Sequence, residues 1–273
     1  MPLPPIRRAQ ANVLGLGIDA INLPTAVAAI DAALAGGGRG YVCVTGVHGI
    51  MEAQRDEHFK VILNNSFLTT PDGMPTVWVG RWQGFHYMDR VYGPDLMLEV
   101  CRLSRTKGYT HFLYGGKPGV AERLRANLER RFPGIAILGA YCPPFRELND
   151  AEKRNLIAMV ADLQPDLFWV GLSTPRQERF MAQFIDQLDV KLMLGVGAAF
   201  DIHAGLLRDS PPWVKTMGLQ WLHRLGQEPR RLWKRYLINN PEFMVKICLQ
   251  LVGRRNYRLP RREERGGQGL RDI

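Results

Sequence analysis

One carboxylate, Asp72 in Thr69-Thr70-Pro71-Asp72-Gly73-Met74-Pro75, stands between two short apolar runs. Held at a strand end and partly buried by the helix that follows, it could take a proton from a hydroxyl nucleophile. The commoner use of Pro-Asp-Gly is a turn whose aspartate caps the next helix, and local sequence alone favours that use. Asp201, after Val196-Gly197, also has two readings, a ribose-binding carboxylate or a simple cap. His48 and His203 read as polar groups of turns rather than as catalysts. Small residues leading into helical patterns recur in Gly46-Val47-His48-Gly49, Gly115-Gly116-Lys117-Pro118-Gly119, Ser173-Thr174-Pro175-Arg176-Gln177-Glu178 and Gly197-Ala198-Ala199-Phe200-Asp201. Backbone N–H groups of such turns suit phosphate. Singly, each is first a tight turn; together with the Asp72 segment, on one edge of a sheet, they make a stronger signal.

Missing motifs narrow the chemistry. Gly116-Lys117-Pro118 lacks the Ser or Thr of a phosphate-binding P-loop, and Gly15-Leu16-Gly17-Ile18-Asp19-Ala20 lacks the third glycine of a dinucleotide fingerprint. There is no Gly-x-Ser-x-Gly elbow, no His-Glu-x-x-His and no Asp-x-Asp pair. Phosphate charge would then be met by Arg, Lys and backbone N–H groups. Cys43, Cys101, Cys142 and Cys248 show no metal-ligand spacing. They are expected to be reduced, mostly buried thiols of a cytosolic protein, and no metal or cofactor is expected.

These residues need a scaffold. Short apolar runs at Tyr41–Thr45, Ser66–Thr70, His111–Tyr114, Ile135–Ala140, Leu167–Leu172 and Lys191–Val196 alternate with helical patterns at Pro24–Leu34, Val47–Gln54, Pro94–Arg105, Pro118–Arg131, Asp150–Leu163 and Pro175–Leu188. Continuous apolar strands spaced by helices predict a parallel sheet covered on both faces, a doubly wound Rossmann-like α/β fold whose ligands bind beyond the carboxyl ends of the strands. Val13–Ile18 is a further short apolar run. With 273 residues, 46% apolar and 23% charged, the chain is neither disordered nor long enough for several large domains. No run reaches a membrane-spanning length, and Met1-Pro2-Leu3-Pro4-Pro5 lacks a signal peptide's apolar segment.

Beyond Ser210-Pro211-Pro212 only helical patterns remain, at Trp213–Arg224, Pro229–Ile238 and Pro241–Val252. The expected organisation is a core over residues 1–210, an appendage over 211–253 and a flexible basic tail over 254–273. From Trp213 onward there are 14 Lys+Arg against 5 Asp+Glu, although the whole chain carries only +10. Trp213, Trp221, Trp233, Tyr236 and Phe243 lie among Arg224, Arg230, Arg231, Lys234 and Arg235. That composition suits a membrane interface facing anionic groups, or a helical lid that packs its tryptophans into the core, or both. Two other classes fit less well. The aromatic residues fall at helical spacing rather than on a sheet, against a nucleic-acid platform. The missing fingerprint argues against a nucleotide-cofactor oxidoreductase.

In order and spacing, these segments resemble the WecG/TagA/CpsF glycosyltransferases, glycosyltransferase family 26, over about residues 12–240. The matching stretches are Thr69–Pro75, Arg90-Val91-Tyr92-Gly93-Pro94-Asp95-Leu96, Phe112–Gly119, Pro165–Leu172 with Pro175-Arg176-Gln177-Glu178, Gly195–Asp201, Gly218–Leu225 and Glu228-Pro229-Arg230-Arg231. The resemblance implies an inverting, metal-independent transfer of a hexose or N-acetylhexosamine from a UDP-sugar to a polyprenyl-diphosphate-linked sugar. It implies a role in exopolysaccharide, capsule or teichoic-acid synthesis, and a cytoplasmic protein held peripherally at the inner membrane surface. By motif, Asp72 corresponds to the catalytic base, and Thr45, His48, Arg90 and Gln177 to groups that touch substrate. Gly115, Gly116, Gly197 and Asp201 correspond to the surroundings of the UDP, and Arg224 and Arg231 to appendage arginines near a diphosphate. His48 stands where the family usually has Asn, Gln220 replaces a Glu, and Asp209-Ser210-Pro211 replaces Arg-Ala-Pro, so the resemblance names no particular donor sugar. A homo-oligomer contact through Val77-Trp78-Val79 with Trp82 stays open.

Overall fold

The computed structural model describes residues 8–260. The reading of Met1–Pro5, and residues 261–273 of the expected tail, lie outside the described residues. Six strands form the main sheet: β3 (Gly40–Thr45), β4 (Leu68–Pro71), β5 (Thr110–Gly115), β6 (Ala136–Tyr141), β7 (Leu167–Gly171) and β8 (Leu192–Gly195). Their order is β4-β3-β8-β7-β5-β6, and the pairings from β3 through β8, β7 and β5 to β6 are parallel. The predicted α/β, Rossmann-like class is the one observed. The reason is visible in β7: Leu167, Phe168, Trp169 and Val170 are all fully buried, which requires cover on both faces.

The chain divides into two compact units. The first comprises Pro24–Cys43 and Gly93–Arg208. It holds most of β3, strands β5 to β8, and helices α1 (Leu23–Ala35), α5 (Gly93–Lys107), α6 (Val120–Arg131), α7 (Asp150–Leu163), α8 (Arg176–Phe184) and α9 (Ala199–His203). Its core includes a run of aromatic contacts: Phe112 on Phe168 at 5.0 Å, Tyr114 on Phe180 at 4.6 Å, and Phe180 on Phe184 at 4.6 Å. The cap of α7 is Asn149, in a reciprocal capping box with Glu152.

The second unit comprises residues 8–23, 44–92 and 209–260, with β4 and the end of β3. Its helices are α2 (Val47–Arg55), α3 (Glu57–Asn64), α4 (Met74–Trp82), α10 (Pro212–Thr216), α11 (Gln220–Gln227) and α12 (Pro229–Leu251). The apolar run at Val13–Ile18 is not one strand. It is a separate antiparallel hairpin of β1 (Gln10–Val13) and β2 (Leu16–Asp19), turning at Leu14 and Gly15, both at positive φ. Gln250 from α12 secures that turn, its Oε1 accepting from the Leu14 N–H and its Nε2 donating to the Asn12 carbonyl, while Asn12 Nδ2 donates to the Tyr257 carbonyl.

Three expectations are corrected here. The helix expected over Trp213–Arg224 is two helices, separated at Gly218 with φ +72°. The two expected over Pro229–Ile238 and Pro241–Val252 are one, with Pro241 inside it. Pro241 is exposed, so the carbonyl its missing N–H leaves behind, on the exposed Leu237, is solvated. The thiols are not mostly buried: Cys43 and Cys101 are, but Cys142 is half-buried and Cys248 exposed, and none of the four forms a disulfide.

Candidate active site

In the second unit, Asp72 sits one residue past β4, half-buried, with its N–H donating to the Thr45 carbonyl at the end of β3 (3.0 Å). Two glycines make this placement available. A Cβ on Gly46 would lie 2.6 Å from the Asp72 carbonyl oxygen, so the backbones meet only because residue 46 has none. Gly73, at φ +98°, turns the chain into α4. Thr45 is 2% exposed, and its Oγ1 finds no partner among the described residues. An orphaned buried hydroxyl, on the residue whose carbonyl receives the N–H of a strand-end aspartate, points to a ligand group that completes the hydrogen bonding.

The appendage helices bring cations to the same unit. Arg224 and Arg231 both reach the Glu228 carboxylate at the start of α12, Arg224 at 3.4 Å. Arg235, one turn further on, has a buried Nε without a partner among the described residues. Burial depresses its guanidinium to about 10; the positive charges of Arg224 and Arg231 push the same way, and Tyr236 and Asp72 oppose them. Two arginines sharing one glutamate, with a third whose Nε is unmet among the described residues, leave cationic capacity for a further anion.

Arg90 is held by a network that the sequence does not announce. Its guanidinium lies 4.7 Å from the Tyr92 ring centroid, and its Nη1 donates to Gln220 Oε1 at 2.9 Å. Lys215 Nζ lies 4.8 Å from the same ring and pairs with Asp209 Oδ2 at 2.5 Å. The Tyr92 hydroxyl donates to Asp209 Oδ1 at 3.2 Å. Burial, reinforced by the charges of Asp209 and Asp72, holds that phenol well above its usual pKa, so it stays a donor. His48 turns to α12, where Asn239 Nδ2 approaches its Nδ1 at 3.1 Å. The second unit thus gathers Thr45, His48, Asp72, Arg90, Arg224 and Arg231, and adds Tyr92, Asp209, Lys215, Gln220 and Arg235.

The other predicted residues lie in the first unit, after β5, β7 and β8. Gly115 and Gly116 are glycines for packing reasons: a Cβ would meet the Gly171 backbone at 2.6 Å or Val120 at 2.7 Å. Gly197, at φ +50°, precedes α9, which carries the half-buried Asp201. Gln177 in the first turn of α8 is 3% exposed, and its amide packs against the glycines at the end of β8. Its neighbour Glu178, 1% exposed, accepts from Thr174 Oγ1 at 2.8 Å and from Gln177 Nε2 at 3.0 Å. Glu178 was not singled out above; the signal available was an acidic residue in the first turn of a helix opening at a strand end.

The appendage tryptophans are not packed away. Trp213 and Trp233 are more than half exposed, and Trp221 meets Tyr236 edge-on at 5.7 Å. Along α12, Leu232, Asn239, Phe243 and Ile247 face inward, and Trp233, Leu237, Met244 and Val245 are exposed, as is Val252 just past its end. Val77 and Val79 are buried within the chain, leaving Trp78 and Trp82 exposed. No described helix is long and apolar enough to cross a membrane.

A parallel α/β sheet with a strand-end carboxylate, glycine-rich turns and an arginine-bearing helical appendage is an architecture for handling phosphorylated substrates. The model of the glycosyl transferase WecG/TagA/CpsF family matches residues 11–257, and the chain belongs to that family. It is similar to an N-acetylglucosaminyldiphosphoundecaprenol N-acetyl-beta-D-mannosaminyltransferase of Bacillus subtilis, 26% identical over 75% of this chain and 77% of the relative. Proteins with the same name from Bacillus spizizenii and Staphylococcus aureus are 26% and 24% identical, each over 72% of this chain and 74% of the relative. The chain is a glycosyltransferase of cell-envelope polysaccharide synthesis.

Proposed function

We propose that this enzyme moves a hexose or N-acetylhexosamine from a UDP-sugar to a polyprenyl-diphosphate-linked sugar, with inversion and without a metal ion. The observation that carries the reading is Asp72, fixed at the end of β4 by its N–H on the carbonyl of Thr45, whose hydroxyl is orphaned among the described residues, in the unit that also carries Arg224, Arg231 and Arg235. Asp72 is the base. The acceptor hydroxyl gives its proton to an Asp72 oxygen as the hydroxyl oxygen bonds to the anomeric carbon. The bond from that carbon to the β-phosphate oxygen breaks, and UDP leaves with the electron pair. The appendage arginines hold diphosphate charge, which the sequence offers no Asp-x-Asp pair to meet through a cation. The N-acetylmannosaminyl in the relatives' names puts UDP-N-acetylmannosamine first among donors to test.

The acceptor's lipid brings the enzyme to the inner face of the cytoplasmic membrane. The exposed apolar side of α12, with Lys234 beside Trp233, has the composition of an interfacial helix on anionic lipid.

The test is UDP release from a panel of UDP-sugars, with EDTA throughout, with and without polyprenyl-diphosphate-linked sugars. Acceptor-dependent release from one donor is expected. An enzyme silent with every donor, or active only after a divalent cation is restored, refutes the corresponding part of the reading.

A further inference from the structure

Gln177 Oε1 is buried and has no hydrogen-bond partner among the described residues. Leaving such an oxygen unmet is unfavourable, and an orphan of this kind in a native fold points to a ligand group that would complete it. Its direction is set by the neighbouring residue. In the first turn of α8, Glu178 Oε1 accepts from both Thr174 Oγ1 and Gln177 Nε2. The amide nitrogen of Gln177 therefore faces Glu178, and its oxygen faces away. That oxygen lies 3.4 Å from where a Cβ on Gly197 would sit, and the nitrogen 3.1 Å from where one on Gly195 would sit, so the two glycines make room for the amide at the end of β8.

We infer that Glu178 and Thr174 are positioning residues that present Gln177 to the donor substrate as an obligate acceptor, so that Gln177 reads a hydroxyl or N–H of the nucleotide-sugar and not its diphosphate. This rests on the nucleotide-sugar reading above. Phosphate oxygens are acceptors and would be repelled by Oε1; the transferred sugar and the nucleoside both carry donors.

The experiment is titration calorimetry of UDP and of UDP-N-acetylmannosamine, UDP-N-acetylglucosamine and UDP-glucose on the full chain. Gln177→Leu is expected to weaken the bound nucleotide-sugar on the order of 10–100-fold. Glu178→Gln, which no longer dictates the amide's orientation, weakens it less. The exchange Gln177→Glu with Glu178→Gln keeps an oxygen outward and a donor–acceptor pair inward, and recovers binding to within a few-fold of the original. Thr174→Val, which removes only a hydroxyl from a half-buried site, shifts affinity in the same direction should Glu178→Gln fail to fold. Loss confined to UDP-sugars assigns the donor to the transferred sugar, and equal loss for UDP assigns it to the nucleoside; either supports the inference. Unchanged binding by Gln177→Leu, or an exchange variant weaker than Gln177→Leu, overturns it and leaves the proposed function standing. Failure of the unmodified chain to bind any nucleotide-sugar overturns both.

Discussion

Tyr92 is clasped between two cations, and that arrangement predicts a measurable coupling. Tyr92→Phe removes only the hydroxyl that donates to Asp209. At 3.2 Å the bond is long for a charged acceptor, so the loss is set at about 1 kcal/mol, below the roughly 1.5–3 kcal/mol of a well-formed bond to a charged group. In a chain of this length that is roughly a 2–4 °C fall in Tm. Tyr92→Leu removes in addition two cation–π contacts, at 4.7 and 4.8 Å, each worth about 0.5–1 kcal/mol where the cation still touches water. The discriminating measurement is a double-mutant cycle with Lys215→Met in urea unfolding. Lys215→Met should cost roughly 1 kcal/mol less in the Tyr92→Leu background than in the original. Tyr92→Leu should also raise the KM of the acceptor reaction more than it lowers kcat, because Arg90 loses the ring beneath it. Equal costs of Lys215→Met in both backgrounds would refute the clasp.

Asp72→Asn should lower turnover on the order of 10²–10⁴-fold with UDP affinity nearly unchanged, read by UDP release and calorimetry; undiminished turnover removes Asp72 as the base. His111 gives an acid sensitivity in the first unit. It is 1% exposed, its Nδ1 accepts from Trp169 Nε1–H at 2.9 Å, and burial lowers its pKa from 6.5 to about 4. Below pH 6.5 the unfolded chain takes up a proton that the folded one refuses, so stability should fall as pH drops from 6.5 towards 4, by roughly 3 kcal/mol in full. His111→Phe should flatten that part of the pH–stability curve. Leu237→Glu with Met244→Glu should lower binding to vesicles containing anionic lipid at least tenfold, measured by cosedimentation, while UDP binding stays as it was.

Asp72 was legible because its surroundings are local: a strand end, a proline and a glycine lie within a few residues. The sheet was legible because strands buried on both faces read as unbroken apolar runs. The hairpin at β1 and β2 was not, since its turn uses Leu14 at positive φ rather than the Asn-Gly such turns favour, and the burial of Leu14 overrides that preference. Pro241 looked like a stop because proline breaks a helix that must satisfy its own carbonyls, whereas at an exposed position water does so. The clasp around Tyr92 joins residues more than a hundred positions apart, and no periodicity connects them. Glu178 was hidden for the opposite reason: beside Gln177 in the sequence, it looks like an ordinary first-turn acid until its burial is known.

The bonds that tie Gln250 and Tyr257 to the β1–β2 turn set an order of events on the ribosome. Asn12 and Tyr257 are separated by 245 positions. At about 5–20 residues per second, the hairpin leaves the exit tunnel on the order of 10–50 s before its partners are made. Over that interval water must solvate the Leu14 N–H and the Asn12 carbonyl. The first unit has all of its residues once Arg208 has emerged, while the second, which carries Asp72, still lacks its third segment. The unit that holds Asp72 is therefore the last to be finished, and a nascent chain stalled before the appendage holds Asp72 without the appendage arginines.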